Sequence, residues 1–388
     1  MSEPAASAQA PTKALIVGSS PTLVWGLTGE ERLRRTFATK GIPSTQDDGG
    51  PIAEGTASVI GIRGDLVIEA TLVVNLMATE GMVLCLPDGR PVAFHVSGAL
   101  ANEAVAALRS ESMTPALTAA VKVVHPKDLA YNRQLRKRAT PYVLPISEAD
   151  RPAIEKQVFA GSYKGVTDIA TKYFFPWPVR QLTHVANALR LRPNHVTFVS
   201  FLLAVWTVWL WCHSQFVHGV VAAWGMCLLD SVDGKLARVT LTSSKLGDTF
   251  DHGIDLIHPP FWYWGWMVGL GAAFSERPDA DLVFWVIMVT YVLQRLLEGL
   301  FISAFKVEMH IWRRFDSMFR LVTARRNPNL ILLTVAAVIG RPLEGILVVA
   351  AWMAISLVVH VVQVLQAALV KAKGQPIDSW LTQEAATD

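Results

Sequence analysis

From about residue 196 onward the chain is built of apolar runs, and their length decides most of what it can fold into. Six stretches read as candidate membrane spans: 196–214, 217–239, 249–274, 280–305, 328–341 extended at its start, and 343–370. A helix rises about 1.5 Å per residue, so a hydrocarbon core of ~30 Å needs roughly 20 apolar residues. The fifth stretch is short by that measure. Residues before about 195 have ordinary polarity, so the overall 52% hydrophobic and 17% charged composition averages two unlike halves. The expected fold is a polytopic α-helical membrane protein of six transmembrane helices, preceded by a cytosolic α/β domain.

Charge orients the spans. Lys235, Arg238 and Lys245 lie between the second and third, and Lys306, Arg313, Arg314, Arg320, Arg325 and Arg326 between the fourth and fifth. The opposite connections, "CHSQFVHG", "SERPDAD" and "GRPLEG", carry only Arg277 and Arg341. The positive-inside rule puts both termini and both basic loops in the cytoplasm, as in a multi-pass inner-membrane protein. A net charge of +3 is too small to argue for nucleic acid. Cys85, Cys212 and Cys227 have no paired spacing, which argues against a disulfide framework or a zinc site. The start "MSEPAASAQAPTKALIVG" lacks a basic segment followed by an apolar one, so no cleaved signal peptide is expected.

Residues 1–11 read as a disordered tail. Across 12–140, "KALIVG" and "ASVIGIRG" look like buried strands, "GEERLRRTFATKG" like a helix ending at Gly41, and "MVLCLPDGRPVAFHV" like a hairpin turning at Asp88-Gly89. Such alternation favours a partly parallel sheet. Residues 141–164 read as a linker. In 165–194, aromatics, prolines and spaced basic residues suggest an amphipathic helix lying in the membrane interface, with the chain entering the bilayer at Asn194. The tryptophans elsewhere, among them Trp206, Trp209 and Trp211, read as interfacial or packing residues. The six-helix domain covers 195–372, and 373–388 is a C-terminal tail.

The stretch "LDSVDGKLARVTLTSSKLGDTFDHGID" (229–255) holds five aspartates and three basic residues between two strongly apolar runs. On helices, Asp230, Asp233 and Ala237 share one stripe, as do Asp251 and Asp255. Two antiparallel helices meeting there would gather four carboxylates. Each aspartate at membrane depth costs ~2.5–3.5 kcal/mol, so four unpaired ones would cost about 10. Hard divalent cations take oxygen ligands and would offset that cost. A pair of such ions can clamp a diphosphate during phosphoryl transfer. Gly234, Ala237 and Gly247 leave room for a flat ligand, and the Arg238 fork suits a phosphate. Asp248 reads as a helix cap, and His252 points off the aspartate stripe as a structural residue. Intramembrane acids also mark ion paths, so an ion-coupled transporter is an alternative of another class, and an inactive scaffold a further one.

The same residues resemble the signature of the CDP-alcohol phosphatidyltransferase family: D-x-x-D-G-x-x-A-R, eight residues, then G-x-x-x-D-x-x-x-D, read here at Asp230, Asp233, Gly234, Ala237, Arg238, Gly247, Asp251 and Asp255. The likeness extends over about 190–372, with "RPNHVT" looking like the family's usual approach to the first span. It implies an integral-membrane phosphotransferase that moves a phosphatidyl or phosphoryl-alcohol group from a CDP-alcohol to a hydroxyl acceptor and releases CMP. It further implies two divalent ions, Mg²⁺ or Mn²⁺, on Asp230, Asp233, Asp251 and Asp255, with Asp255 as the general base. Asp230, Gly234, Ala237, Arg238 and Gly247 would line the CDP pocket, and a homodimer is expected because relatives commonly form one. The leading donor is CDP-diacylglycerol, and the alternative is a soluble CDP-alcohol such as CDP-inositol passing to an inositol-phosphate or lipid acceptor.

Acceptor residues are sought among Arg320, Arg325 and Arg326, since relatives with a phosphorylated acceptor hold it with basic residues of this region. Lys164 could reach the same place, and Arg295 is expected to pair with Glu298. The front domain resembles a sugar nucleotidyltransferase, with Asp65 where a metal-binding aspartate would fall. Its stretch "VGSSPTLVWG" lacks the Gly-rich loop and lysine that would cradle a triphosphate, so a degenerate domain with a regulatory, docking or stabilising role is expected.

Overall fold

The computed structural model describes residues 13–52, 56–129, 131–132, 137–243 and 245–383, without the side chains at 129, 131, 132, 138, 245, 246, 248, 251, 252 and 383. The expected N-terminal tail therefore lies outside the described residues. The chain divides into two compact units, one of residues 1–134, 138–163 and 238–242, the other of 135–137, 164–237 and 243–388.

The first unit opens with β1 (Lys13–Val17), α1 (Gly29–Ala38), β2 (Ser44–Gln46), β3 (Ser58–Arg63), β4 (Leu66–Ile68) and α2 (Ala70–Ala78). It continues with β5 (Met82–Cys85), β6 (Pro91–Ser97), α3 (Gly98–Ser110), α4 (Pro115–Ala120), β7 (Lys122–Val124), β8 (Tyr131–Asn132), β9 (Lys137–Arg138), β10 (Val143–Pro145) and α5 (Arg151–Gly161). Six strands form one sheet in the order β2-β1-β3-β6-β5-β7. Pairing is parallel except where β6 runs against β3 and β5. Two apolar clusters sandwich the sheet, one around Ile16, Phe37, Ile60 and Leu72, the other around Val59, Phe94, Val105 and Leu117. The β5–β6 hairpin turns at Gly89, whose φ of 87° suits glycine. The expected strands, first helix and hairpin are all present.

The expected linker 141–164 is corrected. Strand β10 pairs antiparallel with β4, and α5 buries Ile154, Val158 and Phe159. Trp25 donates from its indole to the Glu155 carbonyl at 2.9 Å, and its backbone N–H to the Glu155 carboxylate at 3.0 Å. These long-range pairings were invisible in a stretch whose local composition looked irregular. In the same unit, Arg32 donates to the Val239 carbonyl and Arg35 to that of Thr240, both at 2.8 Å.

The second unit begins with a π-helical turn at Ala170–Phe174. There follow α6 (Pro176–Ala188), α7 (Pro193–Cys212), α8 (Phe216–Val239), α9 (Lys245–Leu270), α10 (Ala272–Ser275), α11 (Ala280–Phe305), α12 (Arg314–Phe319), α13 (Arg326–Val338), α14 (Pro342–Ala372) and α15 (Trp380–Gln383). Among the described residues, α7, α8, α11 and α14 are long and apolar enough to cross a membrane. Helix α9 has the length but carries three aspartates and two internal prolines. Helix α13, with 13 residues, reaches only about 20 Å. Tyr173, Phe174, Trp177 and Val185 of the π turn and α6 are exposed, as is Leu189 just after α6.

Helices α7 and α9 pack closely. Buried Trp211 meets Trp262 and Trp266 edge to face, with ring centroids 5.5 and 5.0 Å apart, while Trp206, Trp209 and Trp264 are exposed. The expected C-terminal tail is corrected for residues 377–382. The Trp380 indole donates to Ser317 Oγ at 2.9 Å, the Ser379 hydroxyl donates to the Ile311 carbonyl at 2.8 Å, and Leu381 is buried. The aromatic and apolar residues that dock it are spaced too sparsely to form a sequence pattern.

Candidate active site

Helices α8 and α9 are the two elements on which the sequence places its aspartates. Asp230 and Asp233 lie a turn apart on α8, and Asp251 and Asp255 a turn apart on α9. The side chains of Asp248, Asp251 and His252 lie outside the described residues. The Arg326 guanidinium, at the start of α13, joins the two helices: its Nη2 donates to Asp230 Oδ2 at 2.7 Å and its Nη1 to Asp255 Oδ1 at 2.5 Å. The gathering of carboxylates from both helices is thereby realised for Asp230 and Asp255. Asp233 is buried, and the Thr197 hydroxyl donates to its Oδ2 at 2.6 Å.

These residues fit a divalent cation. The donor set is all oxygen, as Mg²⁺ and Mn²⁺ require. The Arg326 fork neutralises part of this charge, but Asp230, Asp233 and Asp255 still outnumber it three to one, so the local charge remains negative. Gly234 and Ala237 on α8 and Gly247 on α9 are half-buried. Arg238 donates to the Ser162 carbonyl at 3.3 Å and groups with the first unit.

A cavity of about 620 Å³ opens beside Asp255. Its walls carry Lys164, Arg295, Arg320, Arg325 and Arg326, together with Asp168, Glu298 and His310. All four basic residues sought for the acceptor therefore meet in one place. Arg295 Nη1 lies 3.4 Å from Glu298 Oε2, the expected pair, but Arg325 donates to that same oxygen. Burial, reinforced by neighbouring Arg325, pulls the pKa of Arg320 down to about 9. An anion would offset that cost. Burial likewise holds His310 neutral, its pKa lowered to about 3.

Glu298, His310 and His360 offer ligand atoms within 4.8 Å of one another, a spacing that could suggest a metal centre. Charge decides against a cation there. Glu298 already answers Arg295 and Arg325, and Arg320 adds to the positive field. A dication would enter a site with more positive than negative charge.

Sequence reasoning missed Asp168, Asn327 and Thr197. Asp168 is buried, accepts from the Thr171 amide at 3.0 Å and hydroxyl at 2.8 Å, and takes the Asn327 amide at 3.1 Å. It thus ties the π turn to the segment that carries Arg325 and Arg326. The D-x-x-T spacing was a readable capping signal, but its partner 159 residues away was not.

Residues 190–324 match the family profile described as CDP-alcohol phosphatidyltransferase. Cholinephosphotransferase 1 of Xenopus laevis is 31% identical over 137 residues, 32% of this chain and 33% of the relative. Archaetidylinositol phosphate synthase of Pyrococcus horikoshii is 32% identical over 79 residues, 20% of this chain and 42% of the relative. The chain thus spans well under two thirds of the relatives it matches. A crystal structure of a Mycobacterium tuberculosis phosphatidylinositol phosphate synthase with CDP-DAG bound aligns at 17% identity over 48% of this chain and 92% of the other. Its TM-score of 0.37 is too low to compare the folds.

Proposed function

We propose that this protein is an integral-membrane CDP-alcohol phosphotransferase that joins a polar, phosphate-bearing acceptor to the phosphatidyl group of CDP-diacylglycerol and releases CMP. The observation that carries the reading is the cavity beside Asp255, walled by Lys164, Arg295, Arg320, Arg325 and Arg326. Half-buried guanidinium groups suit an anion and disfavour an acyl chain. If the acceptor is polar, the lipid portion belongs to the donor. The differing alcohols in the relatives' names leave the acceptor's identity to this cavity.

Asp230, Asp233, Asp251 and Asp255 would hold divalent ions, which would neutralise the donor's diphosphate. Gly234, Ala237 and Gly247 admit the nucleotide against the helix backbones, and the Arg238 fork is offered to a phosphate. The acceptor oxygen bonds to the phosphorus bearing the alcohol. The bond from that phosphorus to the CMP oxygen breaks, and Asp255 takes the hydroxyl proton. An alcohol is a weak nucleophile at neutral pH, and a carboxylate in hydrogen-bond reach contributes about 10²–10⁴-fold. Of the described groups beside the cavity, Asp255 has the exposure this needs, its side chain being 42% accessible.

Six spans, with α9 and α13 completing the bundle beside the four strongly apolar helices, and cytoplasmic termini follow from the basic loops. The exposed aromatics of the π turn and α6 suit the membrane interface. The front unit is read as a non-catalytic relic of a nucleotidyltransferase-like domain. Asp65, the candidate metal ligand there, is held by Arg63 at 2.5 and 2.9 Å, and Arg63 also engages Glu111. Gly64 and Gly29 close the space at the ends of β1 and β3: a Cβ on Gly64 would meet the Gly18 carbonyl at 2.4 Å.

The test is expression of the wild type and Asp255→Asn in one bacterial host, with total lipids compared by mass spectrometry. A new phospholipid from the wild type alone is expected, its headgroup mass naming the acceptor. Equal product from both would remove Asp255 as the base. Transfer only when a soluble CDP-alcohol is supplied would move the lipid to the acceptor side.

A further inference from the structure

We infer that Thr197 is a positioning residue for the metal site, fixing the Asp233 carboxylate in the orientation that binds a divalent ion. The inference rests on the reading of the aspartates as metal ligands. Helix α7 starts with Pro193 at its first position, which pre-sets the backbone and places Thr197 one turn in. Thr197, Ser200, Ala204 and Thr207 then form a buried stripe of small residues on α7. Small side chains let helices approach closely in a membrane. The Ser200 hydroxyl reaches the Met226 carbonyl of α8 at 3.3 Å, and Thr197 Oγ1 reaches Asp233 Oδ2 at 2.6 Å.

The hydroxyl has one hydrogen and two acceptors in reach, since the Pro193 carbonyl lies 3.1 Å away. The carboxylate wins it. A distance of 2.6 Å falls in the range of charge-assisted O–H···O⁻ bonds, about 2.5–2.7 Å. Both residues are buried, at 5% and 3% exposure, so little water competes for the bond. With Oδ2 held, rotation of the carboxylate about its Cβ–Cγ bond is restrained, and with it the direction in which the buried Oδ1 faces. Partners that orient metal ligands in this way are typically worth about 10–100-fold in metal affinity. On this reading Thr197 acts on the metal through Asp233, the carboxylate that its hydroxyl holds.

The test measures Mn²⁺ binding by electron paramagnetic resonance on full-length protein in detergent, comparing wild type, Thr197→Val and Thr197→Ser. Valine matches threonine in shape but lacks the hydroxyl, and serine restores it. The expected result is Mn²⁺ binding weakened about 10–100-fold in Thr197→Val and mostly recovered in Thr197→Ser. The concentration of Mn²⁺ needed for half-maximal turnover should rise in parallel, with kcat at saturating metal changed far less. Thermal unfolding without metal checks that the valine variant is folded. If it is not, Thr197→Ser decides alone: near-wild-type binding is expected, and a loss of about tenfold or more despite the retained hydroxyl overturns the inference. Wild-type affinity in a folded Thr197→Val, or a serine variant as weak as valine, overturns the inference. An absence of Mn²⁺ binding in the wild type would instead overturn the metal reading of the aspartates, and this inference with it.

Discussion

At the scale of single residues, the cavity separates basic groups by role. Arg326 bridges Asp230 and Asp255 and so belongs to the carboxylate side. Arg325 is committed to Glu298. Arg320 differs from both. Its Nε and Nη1 are buried without hydrogen-bond partners among the described residues, and Asp168 and Glu298 reach it only through the field. It is therefore the group with most to gain from an incoming phosphate. Arg320→Ala is expected to raise the KM for a phosphorylated acceptor about tenfold or more while leaving the donor KM within a factor of two, since one hydrogen bond to a charged group contributes about 1.5–3 kcal/mol. Steady-state kinetics varying each substrate in turn would show it. An equal rise in both KM values would mean that Arg320 serves the fold or the donor.

At the scale of elements, what holds the site is close helix contact. Helix α9 carries Asp251 and Asp255 at one end and packs on α7 at the other. There Gly269 lies so near that a Cβ would stand 1.9 Å from the Trp211 carbonyl oxygen. Ser214 Oγ donates to the Gly269 carbonyl at 2.7 Å, sealing the same corner. The backbone atom in the way cannot move aside as a side-chain tip could. Gly269→Ala should therefore destabilise by about 1–3 kcal/mol, the usual range for overpacking. A lowered melting temperature in detergent would be the readout, and an unchanged one would mean that the helices part at little cost. Gly271, whose φ is 55°, is a different case, because there the backbone angle itself favours glycine.

At the scale of the whole molecule, two units of different character share one chain. The first has its own sheet and two apolar clusters on the sheet's faces. A cut at residue 140 would sever β10 from β4 and remove α5 from Trp25. The informative truncation therefore removes 1–163. If the front unit is a non-catalytic relic, the remainder is expected to keep measurable transfer in a reconstituted assay, within about tenfold of full length by the scale of an indirect, positioning effect. A well-folded remainder with no activity would assign the first unit an essential role.

The aspartate spacing, the alternating front segment and the long apolar runs were legible because each is local. Helical phasing places Asp230 with Asp233 and Asp251 with Asp255 whatever else the chain does. The helix bounds of α8, α11 and α14 fell within a few residues of those expected for the same reason. Tertiary structure alone decided the rest. Nothing near Arg326 in the chain announces that it spans Asp230 and Asp255, 96 and 71 residues away. Thr197 finds Asp233 across 36 residues, and a tail and a linker became packed parts of their units through partners remote in sequence. Periodicity and motif spacing report a residue's own helix or strand. Which carboxylate a distant hydroxyl or guanidinium meets depends on how those elements pack, and that is decided only once the helices lie side by side.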